Sequence, residues 1–117
     1  MLDLERTISL PNVAGRIDHL AIDPDHKRLA VAELENNSID IVEVESGRAI
    51  QRLTSASEPQ GVAFDRSGKF LLAASRKDGG LHIFDTSSFQ SVAVLNLGGD
   101  ADNVRIDPRN GHAVVGY

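Results

Sequence analysis

The sequence predicts an all-β fold, a β-propeller fragment of about two and a half four-stranded blades. Apolar positions recur without gaps every 42 residues, in a register marked by Asp23, Asp65 and Asp107. Each unit contains four short apolar runs separated by turn residues, and units of about 40 to 45 residues are typical of propeller blades. A β-sandwich is the alternative fold, but it does not explain a gapless period of 42 residues.

The four strands of a unit are clearest in the first repeat. The predicted strands are Leu20–Asp23, Leu29–Glu33, Ile39–Val44 and Arg48–Leu53. Pro24 follows the first strand and cannot donate to a ladder, so it marks the end of that strand. The second strand is apolar on both faces, which is typical of a strand buried between layers. Asn36 and Asn37 precede the third strand and tolerate the positive φ of a hairpin turn.

The repeat also divides the chain into blades. We expect the first blade at residues 16–53, the second at 58–95 and half of a third at 100–117. Residues Thr7–Leu10 are predicted to be a lone outer strand, because Ile8 aligns with Ile50 and Val92. The chain would then contain about eleven strands.

Two and a half blades leave two blade faces without a neighbour. These faces are predicted to carry apolar residues such as Val31, Ala73, Val115, Ile41 and Ile83. Exposed apolar patches larger than about 300–600 Å² normally mark an interface. We therefore expect no stable closed monomer: either copies self-associate, or a longer chain supplies the missing blades. The strand count favours the longer chain.

Composition excludes several classes of partner and chemistry. The net charge is −5 and no basic cluster offsets it, so nucleic acid is not expected as a partner. The chain has no cysteine, which excludes disulfides, thiolate metal sites and cysteine nucleophiles. No apolar stretch approaches the roughly 20 residues of a membrane span. Without a signal peptide the sequence as written predicts a cytoplasmic protein, or a periplasmic or secreted one if a signal was removed.

Three segments carry a resemblance to a known family. They are Gly15-Arg16-Ile17-Asp18-His19-Leu20-Ala21-Ile22-Asp23, Glu58-Pro59-Gln60-Gly61-Val62 and Gly99-Asp100-Ala101-Asp102-Asn103-Val104. In this order and register, the chain from Thr7 to Tyr117 resembles the N-terminal part of the YVTN-type, YncE-like β-propeller family. The resemblance implies a ring of about seven blades, of which this chain would hold well under half. Such proteins are often exported, mostly have no assigned function, and are similar to lactonase propellers.

The residues just before each innermost strand are the candidate site. By the repeat, Asp18 is equivalent to Gln60 and Asp102, and a propeller brings such positions to one mouth of its channel. The ligand-binding candidates are Arg16, Asp18, His19, Gln60, Asp102 and Asn103. Their oxygens and imidazole could hold a divalent cation or hydrogen-bond a polar ligand. The alternative is that they cap strand ends and satisfy turns, as Asp and Asn commonly do. The sequence assigns no metal and no cofactor to them.

Two functions from different classes fit this sequence. The favoured one is a binding or scaffold module for a small molecule or a protein. The alternative is a lactonase-like hydrolase that uses a metal or a His/Asp pair at the channel mouth. The sequence has no Gly-x-Ser-x-Gly motif, and no helix pattern follows the glycine pairs Gly79-Gly80 and Gly98-Gly99, so neither pair resembles a phosphate loop. These observations favour a non-enzymatic function.

Overall fold

A computed structural model describes all residues from 1 to 117 and shows three antiparallel sheets with ten strands in all. The first sheet contains β1 (Leu20–Asp23), β2 (Arg28–Glu33), β3 (Ser38–Glu43) and β4 (Arg48–Leu53). The second contains β5 (Pro59–Phe64), β6 (Phe70–Ser75), β7 (Gly80–Asp85) and β8 (Ser91–Asn96). The third contains β9 (Val104–Ile106) and β10 (Ala113–Val115). The prediction of an all-β fold is confirmed, and the antiparallel four-stranded sheets are compatible with a propeller-like fragment.

Strand pairing follows the order of the chain within each sheet. Leu20 pairs with Val31 and Asp23 pairs with Arg28, so the first two predicted strands are antiparallel neighbours. After β2, a short 3₁₀ turn over Leu34–Asn36 leads into β3. Asn37 closes this turn with φ 54°, and the equivalent Gly79 has φ 62°. Asn and Gly occur there because they adopt the left-handed region at little cost. The structure contains no helix long and apolar enough to cross a membrane.

The three sheets stack through their first strands. Strand β5 packs against β1 and β2, and β9 packs against β5 and β6. The first core cluster joins the first two sheets and contains Ala30, Ala32, Ile39, Ile41, Leu53, Ala56, Val62, Phe64, Leu71, Ala73 and Phe84. The second core cluster joins the second and third sheets and contains Ala63, Leu72, Ala74, Leu81, Ala101 and Val104. Stacking therefore buries both faces of the inner strands of the second sheet, β5 and β6.

The N-terminal segment differs from the prediction. Residues Thr7–Leu10 form no strand, so the structure has ten strands rather than about eleven, and the lone outer strand stays a prediction. An extended segment becomes a strand only beside a ladder partner. The prediction placed the other strands of its blade outside this chain, and the third sheet consists of β9 and β10 alone. Side chains hold the segment instead: Arg6 Nη1 donates to Val44 O at 2.8 Å, and Arg52 Nη2 donates to Pro11 O at 2.8 Å.

The outward face of the first sheet is less buried than its counterpart in the second. Leu20 and Ile22 are 56% and 62% exposed, whereas the equivalent Val62 and Phe64 are 3% and 9% exposed. The first sheet covers Val62 and Phe64, and no sheet covers β1 in the same way. Among the residues expected on open faces, Val31, Ile41 and Ala73 are instead buried. The other two, Ile83 and Val115, are partly buried against the second core cluster.

The outer edges of the two complete sheets differ in charge. Strand β4 carries Arg48 and Arg52, whereas β8 reads Ser-Val-Ala-Val-Leu-Asn and has no charged residue. All six residues of β8 are exposed, and β8 is paired only on its β7 side.

A buried polar cluster lies across β2, β3 and β4. Arg52 Nε and Nη2 each donate to the Asp40 carboxylate at 2.7 Å, and Ser38 Oγ donates to Glu33 Oε2. Glu33 is fully buried, and its Oε1 has no hydrogen-bond partner. Burial raises the pKa of Glu33 and the nearby Asp40 charge raises it further, against the opposing hydrogen bond from Ser38. The folded protein therefore holds a proton on Glu33 more tightly than the unfolded chain does.

We expect Glu33→Gln to stabilise the protein above about pH 7 by roughly 1–2 kcal/mol, since an amide needs no proton to remain neutral. The pKa of Glu33 is higher in the folded than in the unfolded chain, so wild type loses stability as pH rises between these two values. The glutamine variant lacks this loss, and its advantage should therefore grow between pH 4.5 and pH 8. Urea unfolding at both pH values measures it, with the exposed Glu5→Gln as control. A variant less stable than wild type at pH 8 would contradict the assignment.

Candidate functional site

The candidate site begins with two backbone segments that extend the ladders beyond the strands. Before β1, Asp18 N donates to Ala32 O at 2.9 Å, and Ala32 N donates to His19 O at 2.9 Å. Before β9, Asp102 N donates to Gly116 O at 2.9 Å, and Gly116 N donates to Asn103 O at 3.0 Å. Both segments are therefore fixed by the sheets rather than being free loops.

Three side chains from these segments meet. Asp18, His19 and Asp102 each offer one metal-ligating atom, and these atoms all lie within 4.8 Å of one another. Asp18 and His19 are half-buried, whereas Asp102 is exposed. The structure thus brings three of the six predicted residues together as possible ligands, although Asp18 and Asp102 are 84 positions apart in sequence. We call Asp18, His19 and Asp102 the inner-end cluster.

Gly61 permits this approach. It lies in β5, at the position equivalent to His19, and a Cβ placed on it would be 2.8 Å from Val104 N and closer still to Asp102 O. On the other side of β5, His19 N donates to Gln60 O at 3.3 Å. Because β5 contacts both backbone segments, the absence of a side chain at Gly61 sets how closely Asp102 approaches His19.

Gln60, another predicted residue, points elsewhere. Its side chain is buried, and its Nε2 donates to Asp100 Oδ1 at 2.9 Å and to Ala101 O at 3.3 Å. These bonds tie β5 to the loop before β9. The Gln60 amide therefore stabilises the loop before β9, which fits the structural alternative to ligand binding.

Arg16 and His19 define the electrostatics around Asp18. Arg16 is exposed, and its Nη2 donates to Asp18 Oδ2 at 2.8 Å. The other carboxylate oxygen, Asp18 Oδ1, lies 3.2 Å from His19 Nδ1, which is within ion-pair distance but not aligned for a hydrogen bond. His19 Nδ1 is a buried atom without any hydrogen-bond partner, and so is Asn103 Oδ1. Most buried polar atoms in proteins have such a partner.

The capping alternative can be compared with the aspartates that do cap turns. Asp65 accepts hydrogen bonds from the backbone N–H groups of Ser67 and Phe70, and Asp85 accepts one from Ser87 N. The carboxylates of Asp18 and Asp102 accept no backbone N–H group. These two aspartates are therefore not explained by turn capping.

One polar network that the sequence pattern did not predict links the first two sheets. Arg28 Nη2 donates to Asp23 Oδ2 at 2.6 Å and to Gly68 O at 3.1 Å, and its guanidinium lies 5.5 Å from the centre of the Phe64 ring. Burial alone would raise the pKa of Asp23, but hydrogen bonds from Arg28 and His26 outweigh it and hold the pKa below its ordinary value. The sequence feature that could have indicated this network is a charged residue, Arg28, at the start of an apolar strand. The network is structural, since its charges are paired.

Comparison with known proteins gives a fold and no family. No protein-family model matches the chain, and no curated protein matches it. A solved structure titled Kuenenia stuttgartiensis Hydrazine Synthase is similar with a TM-score of 0.80 and 18% identity, over 97% of this chain. The chain spans about a third of the length of that chain, 32%. Matches extend to 414 solved chains, and a fold this widespread specifies no activity.

Proposed function

We propose that this chain is a binding module of β-propeller type whose ligand lies against the inner-end cluster and Asn103. The observation that carries the proposal is the buried His19 Nδ1, which has no hydrogen-bond partner. It lies beside two carboxylates that accept no backbone N–H group. Backbone hydrogen bonds already fix both segments, so little ordering is required on binding. A few convergent polar groups held on rigid strands are typical of a ligand site.

The proposal includes the assignment of blades. The three sheets would be the blades at 16–53 and 58–95 and the half blade at 100–117. The 42-residue register and the side-by-side packing of β1, β5 and β9 support this assignment. The resemblance to the YVTN-type, YncE-like family belongs to the same proposal, because it rests on the motifs around Asp18, Gln60 and Asp102.

A second candidate function is hydrolysis of a small ester such as a sugar lactone. The 3.2 Å approach of His19 Nδ1 to Asp18 Oδ1 favours it, since a His/Asp pair can activate water. Turnover of a panel of sugar lactones, compared between wild type and His19→Ala, separates the two functions. Turnover lost in the variant supports the hydrolase, and no turnover in wild type favours the binding module.

We expect ligands of this module to perturb the backbone amides of residues 18–19 and 102–103. The measurement is a set of ¹⁵N–¹H NMR spectra of the full chain with a panel of sugars, amino acids, dicarboxylates and divalent metal chlorides. Asp102→Asn should reduce the shifts, because it removes the carboxylate charge from the site. The fold should be unchanged, since Asp102 is exposed and the substitution preserves its shape. Shifts confined to another surface, or no shift with any compound, would refute the proposal.

A further inference from the structure

We infer that the inner-end cluster binds a divalent transition-metal cation such as Zn²⁺ or Co²⁺, through His19 Nδ1 and one oxygen each of Asp18 and Asp102. This inference rests on the site of the proposed function and names its ligand.

The spacing of the first two ligand atoms suits one metal ion. Asp18 Oδ1 and His19 Nδ1 are 3.2 Å apart and are not hydrogen-bonded. Two ligands bound to one metal at about 2.0–2.2 Å, with tetrahedral or octahedral angles, lie about 2.8–3.6 Å from each other. A cation between these two atoms would give His19 Nδ1 the partner that it lacks.

The carboxylate of Asp102 is close enough to serve as the third metal ligand. A ligand atom of Asp102 lies within 4.8 Å of those of Asp18 and His19. Asp102 is exposed, and its carboxylate makes no hydrogen bond or ion pair, so a rotation of its side chain costs little. Three protein ligands leave further coordination positions for water or for a bound molecule.

The kind of donor atoms selects the class of metal. One imidazole nitrogen with two carboxylate oxygens suits first-row transition metals, and nitrogen ligands disfavour Ca²⁺ and Mg²⁺. The two carboxylates of Asp18 and Asp102 and the guanidinium of Arg16 give these three side chains a net charge of −1 before a cation binds. The site therefore attracts a cation.

Arg16 acts here as a positioning residue. It holds Asp18 Oδ2 at 2.8 Å, which leaves Oδ1 turned towards His19 Nδ1. A cation bound at Oδ1 does not displace Arg16. Partners of this kind fix the orientation of a ligating carboxylate, and losing one typically lowers metal affinity about 10- to 100-fold.

The experiment is a calorimetric titration of metal-stripped, tag-free full chain with ZnCl₂, together with the visible absorption of the Co²⁺ complex. We expect one equivalent to bind, and Asp102→Asn and His19→Ala to weaken binding at least about 10-fold. His112→Gln, which removes an exposed imidazole elsewhere, should bind like wild type. Equal affinity of wild type and Asp102→Asn, or preferential binding of Mg²⁺ or Ca²⁺, would overturn the inference.

A second pair of variants tests Arg16 by itself. Arg16→Gln should weaken Zn²⁺ binding about 10-fold while leaving the absorption bands of bound Co²⁺ unchanged, because the ligands remain the same. Arg48→Gln, at an exposed arginine of β4, is the matched control and should change neither. An altered Co²⁺ spectrum in Arg16→Gln, or unchanged affinity, would show that Arg16 does not position Asp18.

The failure of this inference can be distinguished from that of the proposed function. If Zn²⁺ does not bind, but an organic compound shifts the amides of residues 18–19 and 102–103, the metal is wrong and the binding module stands. If neither binds, both are wrong. Where His19→Ala does not fold, the ring ¹⁵N shift of His19 in wild type with and without Zn²⁺ replaces it, and an unchanged Nδ1 signal contradicts the inference.

Discussion

Leu71→Asp is expected to abolish cooperative folding or to lower the melting temperature by at least about 15 °C. Leu71 is fully buried in the first core cluster, in the middle of the second sheet. An unpaired buried carboxylate costs several kcal/mol, and losing the leucine contacts adds about 2–5 kcal/mol. The total stability of a small domain is about 5–15 kcal/mol, so this one substitution consumes most of it.

The control for Leu71→Asp lies two residues earlier in the same hairpin. Lys69 is exposed, and its side chain makes no hydrogen bond or ion pair, so Lys69→Ala should change stability by no more than about 0.5 kcal/mol. Circular dichroism during thermal unfolding measures both variants. Similar melting temperatures would mean that Leu71 is not in the core.

Gly61→Ala is expected to damage both the fold and the inner-end cluster. The new Cβ would collide with the backbone at Asp102 and Val104, so β9 must move away from β5. Such overpacking costs about 1–3 kcal/mol. The movement would also carry Asp102 away from Asp18 and His19, and Zn²⁺ affinity should fall at least about 10-fold.

Gly116→Ala is the matched control for Gly61→Ala. A Cβ on Gly116 meets no atom within 4 Å, and its φ is not positive, although its backbone bonds to the same Asp102–Asn103 segment. Stability and Zn²⁺ affinity should therefore remain close to those of wild type. Urea unfolding measures the stability of both variants, and calorimetry measures their Zn²⁺ affinity. Equal effects of the two substitutions would contradict the role given to Gly61.

The strands were predictable because an apolar repeat reports which backbone positions are equivalent. It placed the four strands of the first sheet to within one residue at each end, and the turn at Asn37 correctly. Residues Thr7–Leu10 have the apolar pattern but form no strand here, because this chain contains no neighbouring strand for them to pair with. Apolar spacing is local, whereas strand formation also depends on a partner that can be distant in sequence.

The backbone positions of the site residues were more predictable than the directions in which their side chains point. The repeat placed Asp18, Gln60 and Asp102 at equivalent backbone points, and the structure keeps the two aspartates near His19. Gln60 differs because its longer side chain reaches Asp100 and Ala101. Side-chain length and local partners decide where an equivalent residue points, and neither is encoded in the period.

The uncharged strand β8 has a consequence for the behaviour of this protein at high concentration. Its outer N–H and C=O groups face solvent in a row, and no lysine, arginine or carboxylate along its six residues hinders the approach of another extended chain. Natural sheets usually protect such edges with charge, as Arg48 and Arg52 do on β4. Edge-to-edge aggregation of folded molecules would therefore begin at β8, where a single gatekeeper charge is missing.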